Sequence, residues 1–296
     1  MHFNRGSSAI MLLALALGTV SPARARDAAH ADRVVAVSVV NMYSAANENS
    51  DVVSQAVMGN NVTTLKKKGK WLHVQTADNY TGWVRRDSLR ENKGQAYAAG
   101  PQAVQVVSLF ANVYRETDVT THAPIATLPF EGRLEVVNEG DGKDARWLQV
   151  RLPNGHTGWI QRGDVTLTPK VLSIPESIEL AKRFMGIPYL WGGRSSFGYD
   201  CSGFTQMLVR SRGINMPRDA DQQAAWNGVT AIERKDLQPG DLLFFGDSDK
   251  KITHTGMYIG NGEFIHDTTN THPVVQISRL DDEPWTQLLV ATRRVK

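Results

Sequence analysis

The stretch "GYDCSGF" (Gly198–Phe204) holds the only cysteine of a 296-residue chain, where turn-forming residues give way to a helical pattern. Before it lies "GGRSSFGYD" (Gly192–Asp200), rich in Gly and Ser and read as a turn. After it, Phe204, Met207 and Leu208 fall on one face of a helix expected from near Cys201 to Arg212 and stopped by Gly213. A thiol at a helix start meets unpaired N–H groups and the positive dipole end, and both favour the thiolate. A neighbouring imidazolium would lower its pKa further, so the expectation is a thiol ionised near neutrality beside a histidine.

Two of the eight histidines lie downstream in a run of strands. "DLLFFG" (Asp241–Gly246) and "HTGMYIG" (His254–Gly260) alternate, an Asn261-Gly262 hairpin turn follows, and "EFIHD" (Glu263–Asp267) returns. "VVQISRL" and "LLVATRRV" complete the sheet. Counting outward from the turn pairs Gly260 with Glu263 and Tyr258 with Ile265. His266 then lies opposite Met257, with His254 three residues further along, and both rings can face one side. Upstream, "SIPESIELAKRFMG" opens with a capping box of Ser173 and Glu176. Ile174, Ile178, Ala181 and Met185 form its apolar face. Helices followed by antiparallel strands make residues 169–296 an α+β domain. A thiol on a helix start, packed against a sheet carrying a base and its orienting group, has the logic of papain-like nucleophilic catalysis. The same residues also allow a small buried structural cysteine.

The first half contains a degenerate repeat. "KWLHVQTADNYTGWV" (Lys70–Val84) parallels "RWLQVRLPNGHTGWI" (Arg146–Ile160), and "VNMYS" (Val40–Ser44) parallels "ANVYR" (Ala111–Arg115). Short alternating strands broken by turns indicate two small all-β barrels, 32–92 and 103–168, joined by a polar linker from Glu91 to Gln102. The extra residues of the second copy are expected between Glu139 and Arg146. The Thr-Gly-Trp ending of each copy is read as a turn before a strand whose indole caps the core.

Residues 1–31 read as an export signal: a weakly positive start, an apolar run from Ala9 to Val20, and small-x-small cleavage sites. That run is shorter than the ~20 residues a bilayer span needs, so no stable membrane insertion is expected. No cysteine lies near the cleavage sites, so lipid attachment there is not expected. Thirty-three Lys and Arg against 30 Asp and Glu leave a net charge of only +3, and no basic run exceeds Lys66–Lys68, which argues against a nucleic-acid partner. No His/Cys/carboxylate cluster has metal-ligand spacing, and no cofactor is implied. His73, His122 and His272 are read as surface residues.

"GIPYLWGGRSSFGYDCSGF" (Gly186–Phe204), "DLQPGDLLFFG" (Asp236–Gly246) and "HTGMYIGNGEFIH" (His254–His266) resemble the NlpC/P60 family of cell-wall cysteine peptidases, and the barrels resemble bacterial SH3-like domains. The resemblance is strongest to γ-D-glutamyl-L-diamino-acid endopeptidases, which implies a periplasmic or secreted, monomeric enzyme acting on peptidoglycan stem peptides or muropeptides. It implies Cys201 as nucleophile, His254 as general base and acid, and His266 as the residue fixing the imidazole. Tyr189 and the Cys201 amide would serve the oxyanion. Trp191, Ser202, Asp219 and Tyr80 would hold a substrate with a free N-terminal L-alanine, Asp219 taking its ammonium. Ala220 replaces a serine of some relatives, and the acidic residue that some supply from the first barrel has no clear counterpart. A cysteine amidase or acyltransferase on the same scaffold, and a non-catalytic wall-binding protein, are the alternative readings.

Overall fold

The computed structural model describes residues 31–140 and 145–296. The export-signal reading of residues 1–31 falls almost wholly outside them. The first barrel comprises β1 (Arg33–Val35), β2 (Val39–Tyr43), β3 (Val52–Val57), β4 (Asn61–Lys68), β5 (Trp71–Gln75), β6 (Thr81–Arg85) and β7 (Leu89–Glu91). The second comprises β8 (Ala103–Val106), β9 (Phe110–Tyr114), β10 (Ala126–Pro129), β11 (Arg133–Asn138), β12 (Trp147–Arg151), β13 (Thr157–Gln161) and β14 (Val165–Thr166). Their sheets run β3-β2-β6-β5-β4-β1-β7 and β10-β9-β13-β12-β11-β8-β14, so every strand of one has its counterpart in the other. Each core contains an edge-to-face pair at the repeat's own spacing: Tyr43 with Trp71 at 5.5 Å and Tyr114 with Trp147 at 5.8 Å.

Three expectations about the barrels change. Thr-Gly-Trp lies inside β6 and β13, not before them, and Trp83 and Trp159 are only half-buried. The core indoles are Trp71 and Trp147. Glycine is needed at 82 and 158 because a Cβ there would meet Met42 Cβ at 2.8 Å and Val113 Cγ1 at 2.5 Å. The linker is also more than a polar spacer. Tyr97 and Ala98 are buried with Val34 and Ala103, and Asn61 clamps Tyr97 by donating to its carbonyl at 2.8 Å and accepting from its amide at 2.9 Å. The longer second copy carries its extra length between β11 and β12, a segment that includes the undescribed residues 141–144.

The third unit follows the α+β expectation. Helix α1 (Ile174–Lys182) begins on the capping box: the Glu176 amide donates to Ser173 Oγ, and the Ser173 amide donates to Glu176 at 2.9 Å. Its buried face is Ile178, Leu180 and Ala181, continued by Phe184; Met185, expected inside, is exposed. The helix ends before residue 185, and the tighter turn that follows rotates Phe184 into the core in its place. The short hairpin β15 (Arg194–Ser195) and β16 (Gly198–Tyr199) leads to α2 (Cys201–Ser211), and α3 (Ala220–Ala224) follows. The antiparallel sheet β17-β22-β18-β19-β20-β21 contains β17 (Val229–Ala231), β18 (Leu242–Ser248), β19 (Lys251–Gly260), β20 (Glu263–Thr268), β21 (Val274–Arg279) and β22 (Leu289–Val295); α4 (Trp285–Leu288) precedes β22. Phe204, Met207 and Leu208 of α2 are fully buried with Phe244, Met257 and Ile265 of the sheet, which presses the helix start against β19.

The three units are tied together. Glu131 of the second barrel clamps Arg210 of α2, and Phe130 beside it packs into the main core against Phe184. On the other side, β3 lies against Gly192, whose φ is +73°. A Cβ there would stand 2.6 Å from the Val52 carbonyl oxygen, so glycine lets the first barrel reach the domain that carries the cysteine.

Candidate active site

Cys201 is the first residue of α2, buried at 7% exposure. Asp200 caps the helix, accepting from the Gly203 amide at 2.7 Å, which takes up one of the donors left open at a helix start. The other Asp200 oxygen accepts from the Gly192 amide at 3.0 Å and pairs with Arg218 at 2.7 Å. Both Asp200 oxygens are therefore engaged in capping the helix and pairing with Arg218. Arg218 is almost fully buried and reaches four partners: Asp200, Ser202 Oγ at 2.7 Å, the Gly193 carbonyl at 3.2 Å, and Ser54 Oγ of the first barrel at 3.3 Å. Ser202, the residue after Cys201, is thus held as a buried hydroxyl.

Two amides donate toward the sulfur, that of Ser202 and that of Thr255 on β19. Thr255 follows His254, so the thiol packs against the strand that carries this histidine. The two histidines meet as expected, by a different register. A bulge at Ile259 pairs Tyr258 with Phe264 and Met257 with Ile265, one residue off the simple hairpin count. His254 Nε2 lies 2.7 Å from His266 Nδ1, and His266 Nε2 lies 3.0 Å from Ser278 Oγ on β21. For the remaining nitrogen of His254 to act as a base, its Nδ1 must be unprotonated. Nε2–H then donates to His266, whose own Nε2–H donates to Ser278. Trp285 of α4 packs on both rings, at 5.2 and 4.8 Å. Sequence reading missed Ser278 and Trp285; period-two alternation on β21 was the only signal for the serine.

The electrostatics differ from the expectation of a thiol ionised at rest. Burial, with the Asp200 charge, pushes the Cys201 thiol up to about 12, and the pull of the Thr255 amide, Arg218 and the Ser202 amide does not overcome it. Burial lowers His254 to about 3 and holds His266 well below the ordinary imidazole value. The resting pair is neutral because the dry site penalises each charge taken singly.

Tyr189 is half-buried, and burial, with Cys201 and Asp200 nearby, raises its phenol above the ordinary value, so it stays a protonated donor at neutral pH. Trp191 is 69% exposed and so is not part of the core. Asp219 stands at the start of α3 but makes no side-chain cap bond. Its oxygens instead accept from Tyr80 Oη at 3.2 and 3.3 Å and from Gln222 at 3.1 Å. Burial raises its pKa despite the opposing Arg218 and the Tyr80 hydrogen bond. A polar cavity of about 400 Å³ opens beside this contact, lined by Tyr43, Ser44, His73, Tyr80, Asp219 and Gln222 among others. His73, expected on the open surface, is one of its walls.

Asp267, next to His266, is fully buried, and neither carboxyl oxygen has a partner at hydrogen-bonding geometry. Burial and the Asp200 charge raise it to about 8, while the amides of Thr268 and Tyr199 offset only part of that. Below pH ~4 the group is neutral whether the chain is folded or unfolded. Between pH 4 and 8 the unfolded chain ionises it and the folded chain does not, so stability falls as pH rises, by at most about 1.4 kcal/mol per pH unit. Above pH 8 that decline stops. Asp267→Asn is therefore expected to close none of the gap at pH 4 and progressively more toward pH 8, measured as urea midpoints of parent and variant. A pH-independent difference would contradict it.

The comparisons agree with this architecture. The NlpC/P60 family matches residues 186–294, and the bacterial SH3 domain matches 38–90 and 111–166. A γ-D-glutamyl-L-lysine dipeptidyl-peptidase of Bacillus cereus is 35% identical over 72% of this chain and 66% of its own length, so the chain spans just under two thirds of it. The protein of that description from Bacillus subtilis is 28% identical over 82% of this chain and 81% of its own. A crystal structure of an NlpC/P60 family protein from Bacillus cereus superposes with a TM-score of 0.75 at 26% identity, covering 89% of this chain and 99% of that one. A cysteine-bearing helix start against a sheet, behind two topologically identical barrels, together with these matches, places the C-terminal unit of the chain in the NlpC/P60 family, with two bacterial SH3 domains ahead of it.

Proposed function

We propose that the protein is an exported cysteine peptidase that cleaves the amide between γ-D-glutamate and the diamino acid of peptidoglycan stem peptides bearing a free N-terminal L-alanine. Cys201 Sγ attacks the carbonyl carbon while its proton passes to His254 Nδ1 and the carbonyl π electrons move to oxygen, so no lone thiolate is needed and the imidazolium forms together with the oxyanion that attracts it. Tyr189 and the Cys201 amide supply donors for the developing oxyanion. His254 then protonates the departing amine, and water, deprotonated by the same ring, releases the acyl group from sulfur.

The observation that carries the substrate reading is the Tyr80–Asp219 contact, made between residues 139 apart in sequence. In this reading it closes one end of the cleft with a half-buried carboxylate whose desolvation is not fully compensated. A substrate ending there in an ammonium supplies the missing counter-charge, whereas a longer or acylated one meets the tyrosine. Hydrogen bonds to charged groups contribute about 1.5–3 kcal/mol. N-acetylation of L-Ala-γ-D-Glu-diamino acid, or Asp219→Asn, should therefore each lower kcat/KM about 10- to 150-fold, the two together costing little more than either. Equal turnover of the free and acetylated peptides would refute the assignment and favour an amidase or acyltransferase.

A further inference from the structure

An acidic residue lies two positions before Tyr80. Asp78 sits on the β5–β6 turn, its side chain only 8% exposed. One of its oxygens accepts from Thr76 Oγ1 at 2.5 Å within the turn. The other accepts from Gln206 Nε2 at 3.0 Å and pairs with Arg194 Nη2 at 3.3 Å. Gln206 stands five residues after Cys201 on α2. Its carbonyl oxygen accepts from Arg194 Nε at 3.1 Å and Arg210 Nη1 at 3.4 Å, and Arg210 is the residue clamped by Glu131 of the second barrel. Burial alone would raise the Asp78 carboxyl, but Arg194, Thr76, Arg210 and Gln206 together hold it down to about 2, so it is ionised throughout the working range.

The repeat supplies an internal control. Asn154 stands 76 residues later, on the matching turn of the second barrel, where it is exposed and accepts only from the His156 amide at 3.0 Å. The turn itself therefore closes without a buried carboxylate. What the acid adds in the first barrel is the link to α2 and the β15 strand. Tyr80 follows immediately after Asn79, whose φ of +63° fixes the direction in which the chain leaves the turn.

We propose that Asp78 is a positioning residue for the amine end of the cleft: pairing with Arg194 and Gln206, it seats the first barrel's turn on the nucleophile helix and delivers the Tyr80 hydroxyl to Asp219. The proposal rests on the reading of Asp219 as the amine-binding acid. Asp78→Asn keeps the shape and the turn, as Asn154 shows, and removes the charge that faces Arg194. With L-Ala-γ-D-Glu-diamino acid, KM should rise about tenfold or more while kcat stays within about twofold; with the N-acetylated peptide neither should change. In a Tyr80→Phe background Asp78→Asn should add less than twofold. Gln206→Met, which removes the donor to Asp78 and the acceptor of Arg194 and Arg210 but leaves the Asp78–Arg194 ion pair, should show a smaller change of the same kind and serves if Asp78→Asn does not fold. A parallel fall in kcat on both peptides, or a full effect without the Tyr80 hydroxyl, overturns the proposal.

A substrate-free readout separates this from the Asp219 reading. In protein labelled with 3-fluorotyrosine, the Tyr80 resonance is assigned by its loss in Tyr80→Phe. It should move toward the solvent-exposed position in Asp78→Asn. If the parent cleaves both peptides equally, the Asp219 reading fails and this shift alone decides Asp78. An unmoved resonance overturns the positioning role.

Discussion

Cys201→Ala is expected to lower turnover of L-Ala-γ-D-Glu-diamino acid by at least about 10⁴-fold, and His254→Ala by a similar factor, because the members of a nucleophile–base pair act as a unit. In the proposed mechanism the sulfur forms the bond that replaces the amide, and no second cysteine can substitute. The two replacements together should cost little more than either alone. In that mechanism His266 acts through His254, and a side chain that still accepts from Nε2–H should preserve part of its effect. His266→Gln should therefore retain more activity than His266→Ala, with losses of about 10- to 100-fold typical of residues that orient a reactive imidazole or ligand. Near-UV circular dichroism and urea midpoints show whether the variants stay folded. Cys201→Ala gives up one buried sulfur and no ion pair, so its midpoint should stay near the parent's. Measurable turnover by folded Cys201→Ala would remove the thiol from the mechanism.

What the sequence revealed and what it hid follow one physical division. Features written in local spacing were legible: the capping box at Ser173, the helix start at Cys201, the Asn261-Gly262 turn and the repeat of Tyr and Trp in the two barrels. Their interactions span few residues or recur at a fixed period. Features made by docking were not. The Ile259 bulge shifts the register by one, which counting outward from a turn cannot foresee. His73 is polar and lies on an alternating strand, so it read as surface, yet the first barrel's approach to Asp219 makes it a cavity wall. Asp78, Ser278 and Trp285 gain their partners only when elements far apart in sequence meet. The thiol's ionisation also resisted local reading. The helix start does favour the thiolate, but burial under the sheet outweighs it, and burial is a tertiary property.

Arg218→Met should be the most destabilising single change in the domain carrying Cys201, at about 3–5 kcal/mol. The side chain is 2% exposed and satisfies four groups at once. Burying a guanidinium is costly, and the pair with Asp200 offsets that cost only while both partners are present. Methionine fills much of the volume, so the loss would come from the Asp200 charge and the Gly193 carbonyl left in a dry site, not from a cavity. Removing that charge as well tests the account. The double variant Asp200→Asn with Arg218→Met should recover part of the loss, because an asparagine at 200 can still cap α2 through its carbonyl oxygen. Urea midpoints at constant slope report the stabilities. Activity should behave differently from stability. Asp200→Asn with Arg218→Met would regain folding but not full turnover, because Ser202 and the Gly193 turn lose the anchor that fixes them, and Ser54 loses its tie to the same arginine. A double variant as unstable as the sum of its parts would show that Arg218 acts through packing, and that its ion pair with Asp200 is incidental.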